Sequence, residues 1–419
     1  MKSSGIEIGR YGLPLKIKYC RLCNISNQQP TSTNEYLHNK NTIQKPLEFD
    51  EEEICHACKI NKNKNKIINW KEREEQLKDI AKKYKNHKSQ YNCLVPGSGG
   101  KDSAFQAHVL KYKYGMRPLT ITWAPHLYTN IGWSNFQNWI HIGGFDNLLF
   151  TPNGKLHRYL TEEALRNLLH PFQPFIIGQK HYPLKIAHQF NIPIIFYGES
   201  ASEYGSKLTN EKNFSTNKDK DHSGFLKNPI SNMNIQDVYL AGKTIKEHLE
   251  NDKRFNISDF KTYLPLDENK IDEKKIEIQW LGYYLKWVPQ ENFYYATENT
   301  GFKPNTERIE GTYQKYASID DKTDGFFYYT RFIKFGVGRA MMDSSMEVRN
   351  DHINKEEGLS LIKKFDGEFP KKFEKEFLEY VSMSREEFDE ICDKFRPDHI
   401  WEKKSNRWEL KNPPWEYFN

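Results

Sequence analysis

Apolar residues first recur at helical spacing after Asn69, where Trp70, Leu77, Ile80, Ala81 and Tyr84 fall on one face. Asn69 is placed to cap that helix, with Glu72 three residues on completing a capping box. The short apolar run Tyr91–Val95 predicts a buried strand, and Ala104–Tyr114 predicts the helix that follows it. Leu119–Trp123 is a second strand, and Ile192–Tyr197 is a third, preceded by a helix over Tyr182–Phe190. Segments around Trp280 and Tyr294 read as strand or loop. From Arg339 onward the pattern is mainly helical, with Met341, Met346 and Val348 on one helix and Leu359, Leu361, Ile362 and Phe365 on another. Strands alternating with helices predict an α/β fold with a parallel sheet covered on both faces.

Polar stretches divide the chain. Residues 1–66 are poor in periodic apolar positions, and their end, Asn61–Lys66, alternates Asn and Lys like a solvated linker. Residues 210–225, rich in Asn, Lys, Asp and Ser, read as a mobile surface loop. The expected organisation is a cysteine-bearing unit at 1–66, an α/β domain at 67–260 and a mainly helical region at 261–419. Aromatics make up 14% of the 419 residues and are spread along the chain, which excludes wholesale disorder. The net charge of +6 balances 62 basic against 56 acidic residues, with no basic stripe of the kind that tracks nucleic acid. No apolar run is long enough to span a membrane and no export signal opens the chain, so a cytoplasmic setting is expected.

Between the first strand and its helix lies Pro96-Gly97-Ser98-Gly99-Gly100-Lys101-Asp102-Ser103. The glycines let backbone N–H groups approach an anion closely, and the following helix adds its unpaired amides and dipole. Ser98 and Ser103 contribute hydroxyls, and Lys101 contributes charge. The spacing is not that of a Walker A loop, since Asp102 stands where that motif has Ser or Thr. Ser98–Ser103 instead resembles the PP-loop signature SGGxDS. That superfamily, with its adenine nucleotide alpha hydrolase-like fold, cleaves ATP between the α and β phosphates. The resemblance implies that the loop holds pyrophosphate and that Asp102 helps to hold Mg²⁺.

Cys20-x-x-Cys23 and Cys55-x-x-Cys58 offer four thiolates, a set suited to tetrahedral Zn²⁺ in a zinc-ribbon-like unit. An iron–sulfur cluster is the competing metal. Either way the site is closed, which predicts a structural role. His56 reads as a bystander, while Cys93 and Cys392 read as buried cysteines of a strand and a helix.

Across nearly its whole length the chain resembles the bacterial N-acetyl sugar amidotransferases of O-antigen and of pseudaminic or legionaminic acid pathways. The likeness rests on both CxxC pairs, the loop PGSGGKDS, Thr122-Trp123-Ala124-Pro125, Pro174-Phe175 with Gly178-Gln179, and Tyr197-Gly198-Glu199-Ser200 followed by Glu203-Tyr204-Gly205. Its most distinctive part is Lys334–Ala340, continuing through Glu347-Val348-Arg349-Asn350 to Glu356-Glu357-Gly358. Ser200 stands where the family pattern has Asn. The resemblance implies conversion of a sugar acetamido group to acetamidino, by adenylation of the amide oxygen and displacement of AMP by ammonia. It also implies partner subunits, a glutamine amidotransferase and a cyclase-like protein, that supply the ammonia. A PP-loop tRNA-modifying enzyme of the thiolation type is the alternative.

Expected roles follow. Ser98, Gly99, Gly100, Asp102 and Ser103 bind the ATP phosphates with help from Lys101. Glu199, beyond a strand end, is the candidate second carboxylate for Mg²⁺, and Glu203 lies close by. Trp123 lines the adenine pocket or sits in the core. Gln179 and Lys180 face phosphate or sugar, or else the surface. Arg339, after two glycines and opening a helix, is placed to meet a phosphate, a sugar carboxylate or a nucleotide diphosphate. Arg349 reads as a surface or ion-pair residue.

Overall fold

Cys93–Pro96 (β1), Pro118–Trp123 (β2), Asp146–Phe150 (β3), Ile194–Tyr197 (β4) and Glu277–Trp280 (β5) form one sheet in the order β3-β2-β1-β4-β5. Every pairing is parallel, with Leu94 opposite both Leu119 and Ile195. The structure is a computed structural model and describes residues 7–31, 34–198, 230 and 233–418.

The inner strands β1 and β4 are apolar on both sides because both sides are covered. Cys93, Val95, Ile194 and Phe196 pack with Leu77, Ala104, Phe136, Trp139 and Ala296. These come from helices Trp70–Tyr84, Lys101–His108, Asn130–His141 and Pro289–Thr300. Leu94, Leu119, Ile121 and Ile195 point the other way and meet Leu184 and Ala187 of helix Gln173–Gln189. Each such fully buried aliphatic side chain contributes about 1.5–3 kcal/mol of hydrophobic stabilisation.

Strand order reverses at β1, which has β2 on one side and β4 on the other. In open sheets of this kind the crevice at the carboxyl ends beside the reversal is where ligands bind. The glycine loop leaves β1 at that point.

Several elements differ from the sequence reading. β1 starts at Cys93 rather than Tyr91, and the next helix begins at Lys101, giving way to a π-helical stretch at Val109–Lys113. β3 went unread because its Asp146 and Asn147 break the apolar pattern. Tyr294 lies on a helix, Pro289–Thr300. Asn69 does cap its helix, accepting from the Glu72 amide. Helix Gln173–Gln189 is longer than read and carries Pro183 inside it. Proline has no N–H for the carbonyl of Gln179, four residues earlier, so the helical bond between the two is missing.

The largest departure is Asn61–Lys66. It belongs to helix His56–Ile67, which Cys55 caps through its sulfur and on which Lys64 is buried. Helix Arg339–Arg349 carries Met341, Met346 and Val348, and helix Lys355–Phe365 carries Leu359 to Phe365, as read. The cysteine-bearing segment does not pack alone. Cys20, Cys23, Cys55 and Cys58 share a core with Phe335, Val337, Met341, Ile362, Ile400 and Trp401. Residues 210–225 lie outside the described residues. No helix among the described residues is long and apolar enough to cross a membrane.

Candidate active site and cysteine centre

The glycines of the loop are dictated by close approach. At Gly99 φ is +82°, and a Cβ there would stand 2.8 Å from Phe136 Cα. A Cβ on Gly97 would meet Ser103 Cβ at 2.1 Å. The loop is tied back to the sheet where the Gly97 amide donates to the Ile121 carbonyl at 2.9 Å. Ser103 Oγ donates to the Gly100 carbonyl at 3.0 Å, turning the chain into the helix.

Asp102, on the first turn, is held from two sides. Asn292 Nδ2 donates to Oδ1 at 3.0 Å, and the buried Lys101 ammonium bonds Oδ2. Asn292 arrives from helix Pro289–Thr300, which packs along the loop helix. Its role was not visible in the sequence, because only the fold brings it to Asp102.

Ser98 to Ser103 line a cavity of about 550 Å³ together with Trp123, Gln179 and Lys180. The fold therefore gathers most of the residues singled out from sequence into one place. Trp123 is a wall residue and a core aromatic at once. Its ring is 5% exposed, 5.2 Å from Phe150 and 5.6 Å from Tyr182, and a Cβ on Gly178 would fall 2.2 Å from its Cε2. Tyr197 OH donates to the Lys180 carbonyl at 2.8 Å, fixing that turn of helix Gln173–Gln189 to β4. Glu199 and Glu203 lie outside the described residues.

The opposite wall is Tyr316–Asp321 with Asp324 and Tyr328. Sequence reading missed it, because Asp320-Asp321-Lys322-Thr323-Asp324 has the polarity of any surface loop. Asp321 is its anchor, accepting from the His126 amide at 2.6 Å, His126 Nδ1 at 3.0 Å and the Thr323 amide at 2.9 Å. Burial opposes its charge, but His126 and Thr323 hold the carboxyl below its ordinary range. Asp320 is pushed up by burial, in spite of a bond from the Ser98 hydroxyl of the loop. Asp324 is driven well above the carboxylate range by burial and by the charges of Asp320 and Asp321. Carboxylates perturbed in this way, in a cleft, make this wall a candidate functional site.

Arg339 lies behind this wall and is not among the residues lining the cavity. Its guanidinium stacks on Tyr328 at 4.4 Å, bonds the Ala317 carbonyl and meets Asp343 at 3.4 Å. The amides of its helix start are occupied too. Ala340 donates to the Gly311 carbonyl at 3.0 Å and Met341 to Asp366 Oδ1 at 3.2 Å. Arg339 thus shapes the wall from outside the cavity.

The four cysteine sulfurs lie within 4.8 Å of one another, with Cys20–Cys58 at 3.8 Å and Cys23–Cys55 at 3.7 Å. Sulfurs each about 2.3 Å from one tetrahedral metal stand about 3.8 Å apart, so the set fits a single ion. Arg349 points at this centre, its Nη1 being 3.6 Å from Cys23 Sγ, and is not a surface residue. Against the cost of burial, the neighbouring sulfurs and this guanidinium draw Cys23 toward the thiolate. Ser345, one turn earlier, donates to the Cys23 carbonyl at 2.6 Å. Cys93 and Cys392 are buried, as read, and burial pushes both thiols up.

Residues 310–413 match the family described as LPS biosynthesis protein WbpG-like, C-terminal domain. That segment builds the Tyr316–Tyr328 wall and supplies Ser345 and Arg349 to the cysteine centre. Among solved structures, the chain is similar to NMN synthetase from Francisella tularensis. Identity there is 17%, over 31% of this chain and 54% of that one, with a TM-score of 0.24. It is also similar to the U34-tRNA thiolase NcsA from Methanococcus maripaludis with its 4Fe–4S cluster. Here identity is 10%, over 75% of this chain and 86% of that one, with a TM-score of 0.30. The chain thus spans about half the length of the synthetase. Both scores are below 0.5, so the fold rests on the strand order itself. No curated protein sequence matches the chain.

Proposed function

We propose that this chain, whose C-terminal part is a WbpG-like lipopolysaccharide biosynthesis domain, is an N-acetyl sugar amidotransferase that converts an acetamido to an acetamidino group at the expense of ATP. One observation carries the reading. The Ser98–Ser103 loop and the WbpG-like segment face each other across a single cavity, so the phosphate site and the family-specific wall serve one reaction.

The chemistry explains the nucleotide. An amide oxygen is a poor leaving group. Its attack on the α-phosphorus of ATP forms an O-adenylated imidate and releases pyrophosphate. Ammonia then adds to the imidate carbon and AMP departs with the oxygen. The protein's part is placement and charge stabilisation. Amides of the loop and the Lys101–Ser103 turn bind the departing pyrophosphate, as at other helix N-termini. Asp102, steered by Asn292, offers a hard oxygen to Mg²⁺. Trp123, Phe172 and Phe175 supply apolar lining that keeps water from the imidate.

The cysteine centre suits structural Zn²⁺, with sulfur spacings that match one tetrahedral ion and no open position. An iron–sulfur cluster, in which the four cysteines are divided between two or more irons, needs wider spacing. The thiolation alternative needs a cysteine at the loop, and no described cysteine lines the cavity. Ammonia is supplied in this reading by separate glutamine amidotransferase and cyclase-like subunits. The test is mass spectrometry of N-acetylated nucleotide sugars and nonulosonic acids incubated with the protein, ATP, Mg²⁺ and ammonium. A product about 1 Da lighter, formed with AMP, is expected from the exchange of oxygen for NH. Turnover without that exchange contradicts the reading.

A further inference from the structure

Lys101 opens helix Lys101–His108, at the floor of the phosphate loop. By local rules that is a poor place for a lysine. The N-terminus of a helix carries partial positive charge and disfavours a cation. Burial disfavours it again, and the Lys101 side chain is only 8% exposed.

The next residue compensates. The Lys101 ammonium bonds Asp102 Oδ2, although adjacent residues of a helix do not ordinarily face each other. Asp102 is its one ion-pair partner among the described residues. On another side lies the Tyr316 ring, whose centroid is 5.8 Å from Nζ, within cation–π range. Tyr316 stacks in turn on Phe293 at 4.5 Å, the residue after Asn292 on helix Pro289–Thr300. Lys101, Asp102 and Tyr316 all line the loop cavity.

Both oxygens of Asp102 are thus engaged. Asn292 Nδ2 donates to Oδ1 at 3.0 Å, and Lys101 holds Oδ2. The carboxylate is the more open member of the pair, at 33% exposed, and so is reachable from the cavity. An ammonium and a divalent ion on one carboxylate repel each other, so the two compete for it.

We propose that Lys101 is a resident counterion that occupies Asp102 while the loop is empty and passes to the nucleotide phosphates when they dock, so that Asp102 is released to Mg²⁺ only with nucleotide in place. The inference rests on the reading of Ser98–Ser103 as the ATP phosphate site and needs no particular acceptor. Lys101 exchanges one anion for another and is never buried without a counter-charge. The exchange also keeps a divalent ion off the empty site.

Two affinities of the full chain test this. Mn²⁺ binding without nucleotide is read by electron paramagnetic resonance. Binding of α,β-methylene-ATP without metal, in EDTA, is read by calorimetry. Lys101→Met is expected to tighten Mn²⁺ binding roughly 10-fold and to weaken binding of the metal-free analogue by a similar factor. The opposite signs are the signature, because a loop merely disordered by the substitution loses both ligands. Lys101→Gln, which keeps the stem and a polar end, should shift the two affinities in the same two directions by less, and serves if the methionine variant does not fold. Adding Asp102→Asn to Lys101→Met should abolish the gained Mn²⁺ binding and so assigns it to Asp102. Mn²⁺ affinity that is unchanged or lower in both Lys101 variants overturns the proposal. So does tight Mn²⁺ binding by the nucleotide-free wild type that Asp102→Asn removes, a result that needs no Lys101 variant. A wild type that fails to bind the analogue counts against the phosphate site itself and takes the proposal with it. Analogue binding without the reversal of sign overturns the exchange alone.

Discussion

Arg349 places its guanidinium 3.6 Å from the sulfur of Cys23, and so joins the last turn of helix Arg339–Arg349 to the cysteine centre. At the other end of the same helix Arg339 holds the Ala317 carbonyl and the Tyr328 ring of the cavity wall. Between them Glu347 accepts from Gln314 Nε2 at 3.0 Å and Tyr316 OH at 3.4 Å, and Asp343 accepts from Thr312 Oγ1 at 2.7 Å. One helix thus connects the cysteine centre to the wall of the loop cavity.

Removing the Arg349 charge is expected to weaken the metal centre. Groups that bond a metal's ligands typically control affinity by about 10- to 100-fold. Arg349→Met should show that loss in a chelator competition assay. Zinc content by elemental analysis should reach one ion per chain in the wild type, and several irons per chain with inorganic sulfide in its place would contradict the single-ion geometry.

Cutting the middle of the helix contacts should act on the cavity and spare the metal. Glu347→Gln leaves the cysteines untouched but weakens the hold on Tyr316 and Gln314. The expected result is a several-fold rise in KM with full metal content. An unchanged KM would mean that the wall positions itself without this helix.

The loop glycines make a sharper prediction. Gly99→Ala must accommodate φ +82° and a Cβ at 2.8 Å from Phe136 Cα, and Gly97→Ala a contact of 2.1 Å with Ser103 Cβ. Strain of this kind costs about 1–3 kcal/mol and moves the amides that face phosphate. Both variants should fold, with lower melting temperatures, and lose ATP binding measured by fluorescence titration.

Much of this site was legible in the sequence, and the reasons are local. Strand, glycine loop and helix are contiguous, so Ser98–Ser103 announced itself. The CxxC spacing did the same for the cysteines. Asn292 and Asp320 carry no local signal, since their meaning arises only when chain segments about two hundred residues apart are folded against the loop. Lys64 misled, and of the two readings of Arg349 only the ion-pair one held. Charged residues usually mark a solvated face, but Lys64 is buried with its ammonium over the Trp70 ring and Arg349 is half-buried against Cys23, distant in sequence. Arg339 was read from its helix N-terminus as an anion site, but the amides there are occupied by Gly311 and Asp366.

Asp366 gives the fold a pH dependence. Burial raises its carboxyl to about 7, against the bonds it accepts from Met341, Ala340 and Gly338. Its folded pKa is above the unfolded value of about 3.9, so the folded state holds the extra proton between the two. The stability it contributes is complete below about pH 4 and is lost as pH rises toward 7. Asp366→Asn should flatten the urea-unfolding stability across that window. A wild-type stability that rises steadily from pH 4 to 7, unaltered by the substitution, would contradict the assignment.

The most direct test of the central claim is the nucleotide product formed in the presence of an N-acetylated sugar acceptor and ammonium, followed by anion-exchange chromatography. If pyrophosphate docks on the amides from Gly97 to Ser103, AMP and pyrophosphate accumulate in equal amounts, and Asp102→Ala lowers both by at least about 100-fold. Accumulation of ADP and phosphate, or full AMP formation by Asp102→Ala, would contradict it.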